Sequence, residues 1–100
     1  MAKKPLWESG KTPAGRFAGR LRDISKEKGL TLDSLVRLSP RFKHPTVTRW
    51  WFGTRLPKPT SIVDIAKALQ MTPADLIKGL ELEMRIVTEV EFIQRVESSQ

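Results

Sequence analysis

Pro45-Thr46-Val47-Thr48-Arg49-Trp50, running on through Trp51-Phe52 to Gly53, is the stretch whose reading decides the fold. Proline is tolerated in the first turn of a helix, where its missing N–H would have had no intrahelical partner. Val47 and Trp50 then fall on one face, Thr46, Thr48 and Arg49 turn to solvent, and Gly53 supplies a left-handed stop. Just upstream, Thr31 opens a second short helical pattern with Leu32, Leu35, Val36 and Leu38 as its buried set, broken by Ser39-Pro40-Arg41. Two short amphipathic helices joined through a tight polar break have the pattern of a helix-turn-helix.

The flanking chain repeats the same punctuation. Thr12-Pro13 starts a helix in which Phe17, Leu21 and Ile24 recur at helical spacing, with Arg16, Arg20, Arg22 and Lys26 outside the stripe and Gly29 as its left-handed cap. Beyond the loop Thr54–Pro59, Ser61 to Asp64 reads as a capping box ahead of Ile62, Ile65, Ala66 and Leu69. Thr72-Pro73-Ala74-Asp75 repeats the device before Leu76 and Ile77, and Gly79 ends it. The expectation is a mainly α fold: a compact domain of five short helices over residues 12–79.

The two ends read differently. Residues 1–11 hold Lys3, Lys4 and Lys11 without periodicity and read as a basic arm, either a frayed terminus or a DNA-touching one; Trp7 within it is expected to pack on the domain. In residues 80–100 the even positions Leu80, Leu82, Met84, Ile86, Thr88, Val90 and Phe92 alternate with Glu81, Glu83, Arg85, Glu89 and Glu91. Alternation and β-branched residues predict a strand, which needs a partner and finds the simplest one in a second copy of itself. The competing reading is a helix continuous from Pro73. In either case the tail is read as a dimerisation extension, with Leu82, Met84, Ile86, Val90 and Phe92 as its contact residues.

Composition narrows the classes of function. No cysteine is present, and His44 is the only histidine, so neither a disulfide framework nor a metal cluster is expected. No apolar run approaches the roughly 20 residues of a membrane span, and no signal peptide is apparent, so a cytoplasmic location is expected. The net charge is +7, unevenly spread: residues 1–80 carry +10 and residues 81–100 carry −3. A basic body displaces counterions from a polyanion, which makes double-stranded DNA the first partner to consider and implies nucleoid association; no strongly apolar face argues for a membrane surface.

With Gly29-Leu30-Thr31, Leu35, Val47, Arg49-Trp50, Gly53, Leu56-Pro57, Ala66-Lys67-Ala68-Leu69 and Pro73-Ala74-Asp75-Leu76 in this order, the chain resembles the Cro and phage-repressor (Xre-type) helix-turn-helix family over residues 16–79. The resemblance implies a five-helix domain that binds operator DNA as a dimer. The chain departs from the family pattern at Leu32, where a polar residue is common, at Val36, where Ala is common, and in a turn one residue longer holding Ser39-Pro40-Arg41. Ser25 and Trp51 stand where members often join an Arg to a Glu. Replacing such a pair by packed apolar groups is often neutral or stabilising, so Trp51 is read as core. The other reading makes Trp51 and Phe52 an exposed patch.

The resemblance puts base-edge readers on the first turn and outer face of the third helix: His44, Thr46, Thr48 and Arg49, with Pro45 offering apolar contact only. Arg49 is favoured because its planar fork matches O6 and N7 of one guanine. His44 is read as the cap of that helix and as a phosphate contact. Further phosphate contacts are assigned to Arg41, Lys43, Arg55 and Lys58. No catalytic constellation is present, so an enzyme is not expected. The reading is a sequence-specific transcriptional regulator, a repressor acting as a homodimer on an inverted repeat, without cofactor. The alternative is an antitoxin-like protein whose tail binds a protein partner. The chain has little room for a separate ligand domain, so small-molecule sensing is not expected.

Overall fold

The structure, a computed structural model, describes residues 12–98; the basic arm and Trp7 lie outside the described residues. Among these it is mainly helical, with six helices and no strand. The chain divides into two compact units at the Leu56–Pro57 junction.

The first unit begins with α1, Pro13–Glu27, whose Thr12 hydroxyl oxygen accepts from the Gly15 amide at 3.0 Å. Phe17, Ala18, Leu21 and Ile24 form its buried stripe, and Gly29 at φ +70° turns the chain out. α2, Leu32–Arg37, is capped by Thr31, which accepts from the Ser34 amide at 3.2 Å. α3, His44–Phe52, ends at Gly53 with φ +77°. Two requirements meet at that glycine. A Cβ there would stand 3.1 Å from the Gly15 Cα and 3.3 Å from the Ala18 Cβ, so both the left-handed backbone and the close approach of α3 to α1 disfavour a side chain. α3 packs on both α1 and α2.

The expected core of α2 needs correction. Leu35 is fully buried, but Leu32 and Val36 are half-buried and Leu38 is 40% exposed. The helix stops at Arg37, so Leu38 is its C-cap and leaves the apolar stripe. The turn instead sends Phe42 inward, where it is buried and meets Trp50 edge-on, ring centroids 5.8 Å apart and planes at 90°. Trp51 is half-buried and Phe52 exposed. The Arg22 guanidinium lies 5.6 Å from the centre of the Trp51 ring, so a cation rather than apolar packing covers that face. Ser25 is fully buried, and among the described residues its hydroxyl has no hydrogen-bond partner.

The second unit opens with α4, Pro59–Ala68, which starts before the expected capping box because Pro59 takes the first helical position; its N-cap, Lys58, makes no side-chain cap bond. Ile62, Ile65, Ala66 and Leu69 are buried as their spacing predicts, with Val63 beside them. α5, Pro73–Ile77, is capped by Thr72, which accepts from the Asp75 amide at 3.1 Å, and it buries Leu76 and Ile77.

The tail is a helix, α6, Met84–Ser98, and not the expected strand. Nor is it continuous with α5: Lys78 caps α5, and Gly79 at φ +79° and Glu81 at φ +53° interrupt the path. The physical reason lies in the neighbours. Positions 86, 87, 90 and 93 share one helical face; Val90 is 1% exposed and Ile86, Val87 and Ile93 are half-buried, with α4 and α5 packed against α6. A helix satisfies its own amides while burying that face, which an unpaired strand cannot do. Lys67 Nζ and Glu97 Oε2, 2.6 Å apart, add a tie between α4 and the last turn of α6. The residues expected at the dimer contact therefore separate. Leu82 and Val90 are buried and Ile86 half-buried, whereas Met84 is 75% and Phe92 62% exposed.

Candidate nucleic-acid interface

α2, the turn at residues 38–43 and α3 carry most of the residues expected to touch DNA. The turn is fastened from within: the Phe42 amide donates to the Ser39 carbonyl at 3.1 Å, and the Arg41 amide donates to the Ser39 hydroxyl oxygen at 3.2 Å. With Phe42 plugged against Trp50, the flanking Arg41 and Lys43 are left exposed. Lys43, rather than His44, is the N-cap of α3, and its ammonium, a donor only, makes no side-chain cap bond to the helix amides.

His44 occupies the first turn of α3 and is held from two sides. Its Nε2 lies 3.3 Å from Asp33 Oδ1 on α2, and its Nδ1 lies 3.4 Å from Thr48 Oγ1 one turn along α3. The Thr48 hydroxyl donates to the His44 carbonyl at 2.7 Å, the back-bonded arrangement common for threonine within helices. Nε2 can donate to the Asp33 carboxylate, and with the Thr48 hydrogen given to the His44 carbonyl the Nδ1 contact is a close approach that orients the ring; meeting a base edge through Nε2 would require exchanging the Asp33 contact. Asp33 is a participant that sequence reasoning missed. It stands 11 positions from His44, and only the α2–α3 packing brings the two together. The pair is well exposed, with side chains 58% and 73% accessible, so water screens it heavily.

Thr46 and Thr48 are half-buried along α3, and Pro45 is exposed. Arg49 is exposed, and among the described residues no carboxylate pairs with its guanidinium. Its carbonyl accepts from the Thr54 amide at 3.0 Å and from the Thr54 hydroxyl at 3.3 Å, which fixes the backbone behind the side chain and leaves the fork free to turn outward. Arg55 follows this closure and is exposed. The first unit therefore gathers Arg41, Lys43, Arg49 and Arg55 in and around one helix. Lys58, exposed, belongs to the second unit as the N-cap of α4.

No cluster of three or more potential metal ligands exists among the described residues, and none of their helices is long and apolar enough to cross a membrane. Comparison with protein-family models, with curated proteins and with solved structures returned no match.

Proposed function

We propose that the chain is a sequence-specific, double-stranded DNA-binding regulator that reads its site with α3, in the manner of the Xre-type helix-turn-helix. The observation that carries this reading is the α2–turn–α3 unit. Its exposed side chains include Arg41, Lys43 and Arg49, with Arg55 just beyond its end, and the Arg49 guanidinium has no carboxylate partner among the described residues. Cations around a helix short enough to enter the major groove release counterions from phosphate, and an unpaired Arg fork can discriminate guanine. In this reading His44 is a positioning residue at the start of α3, with Asp33 and Thr48 setting its ring, and Thr46 and Arg49 are the base readers.

Dimerisation fits the outward face of α6. Met84, Phe92 and Val96 are exposed there, and with Thr88 they recur every fourth residue. A second copy laid on this stripe gives the homodimer that an inverted repeat requires. The antitoxin-like reading uses the same stripe for a different protein. Selection of bound genomic fragments by the purified chain tests the proposal. Enrichment of one inverted repeat is the expected result, and enrichment tracking only total DNA overturns sequence specificity. Co-purification of a stoichiometric second protein that releases the DNA selects the antitoxin-like reading.

A further inference from the structure

The second unit holds a half-open cleft of 280 Å³ between α5, the link that follows it and α6. Its floor is apolar: Ile77, Leu82 and Val90 are buried there, with Val87 half-buried beside them. Its rim carries both signs of charge, Lys78 against Glu81 and Glu91, all exposed. Among the described residues none of these three charges is taken up in an ion pair. We propose that this cleft binds a free apolar α-amino acid, with the side chain on the floor, the carboxylate toward Lys78 and the ammonium toward Glu81 and Glu91.

Two features of the cleft select that class, and its volume, near the lower end of about 300 Å³ for small-molecule sites, is ample for one amino acid. The floor rewards an aliphatic or aromatic group, since its walls are hydrocarbon. The rim rewards two opposite charges on neighbouring atoms, because a lone anion or a lone cation satisfies one side and meets like charge on the other. A peptide brings only one terminal charge to such a rim; a free amino acid brings both. The site is independent of the DNA-binding reading, and each can fail without the other.

The test is titration of the full-length protein, followed by amide NMR, with L-phenylalanine, 3-phenylpropionate and phenethylamine. Phenylalanine is expected to give saturable millimolar shifts confined to residues 74–94. Each single-charge analogue should bind about tenfold more weakly, the loss of one charge-assisted contact. Lys78→Gln should weaken phenylalanine and spare phenethylamine; Glu91→Gln should weaken phenylalanine and spare 3-phenylpropionate. Val87→Phe fills the cleft and should abolish the response, and if that variant does not fold, the two exposed rim variants carry the test alone. An analogue binding as tightly as phenylalanine, shifts centred elsewhere, or no saturable shift overturns the proposal.

Discussion

α3 and α6 are both amphipathic helices, yet they face solvent with opposite chemistry. α3 buries Val47 and Trp50, ends on a glycine that fits against α1, and shows Arg49 and His44 outward. α6 buries only Val90 fully and shows Met84, Phe92 and Val96 outward. An exposed Arg49 with no carboxylate partner among the described residues suits a polyanion, and an apolar face suits a protein surface. The two units thus differ in the chemistry they show to solvent.

The largest effect is expected at the α3 terminus. Gly53→Val should destabilise the fold by about 3 kcal/mol, combining left-handed strain with the clash against Gly15 and Ala18. Gly29→Val is the control, since a Cβ there meets nothing within 4 Å and only the backbone strain of about 1–2 kcal/mol remains. Urea denaturation of both reads the difference; equal losses would mean that the α1–α3 approach is not tight.

On α6, Val90→Ala should cost about 2 kcal/mol, removing buried methyl groups and leaving a small cavity. Phe92→Ser should leave stability within about 0.5 kcal/mol, as exposed substitutions do, while lowering self-association in sedimentation. A strand would put both residues on one face and make the two variants behave alike, so this pair tests the helix directly. Ile86→Glu, by contrast, should disturb packing on α4 and α5 as much as any dimer.

On α3, Arg49→Ala should weaken operator binding by about 1–2 kcal/mol and barely alter binding to random DNA. Neutralising Lys43 or Arg55 should weaken binding on every sequence and lower the salt slope by about one unit each. Equal losses for Arg49→Ala on operator and random DNA would turn it into a phosphate contact. A gain in place of a loss is expected at Ser25, whose buried hydroxyl has no hydrogen-bond partner among the described residues; Ser25→Ala should raise stability by up to about 1 kcal/mol, read as a higher melting temperature.

The legibility of these features in the sequence follows the range of the forces involved. The starts of α1, α2 and α5 were readable because Thr12, Thr31 and Thr72 cap them through bonds spanning three residues. Stripes such as Phe17, Leu21 and Ile24 follow from the helix repeat alone. α6 was misread because its alternating pattern merges two structures: Leu80 and Leu82 are buried in an irregular link, and the helix begins only at Met84. The inward face of α6 also includes Gln94, half-buried, which dilutes the apolar period. Phe42 sits between Arg41 and Lys43, so no local pattern marks it as core; only Trp50 across the turn does. The candidate interface was readable as a cluster of cations, whereas the Asp33–His44 contact depends on helix packing that the sequence does not print.

Four of the six helices among the described residues carry a proline in their first turn: Pro13, Pro45, Pro59 and Pro73. Each ring narrows what the chain can do before it folds, because φ is preset near its helical value and no amide remains through which the helix could start earlier in a shifted frame. Part of the molecule's persistence therefore resides in the disordered ensemble that it leaves behind. A change such as Pro45→Ala, at an exposed position, would still free the denatured chain by roughly several tenths of a kcal/mol.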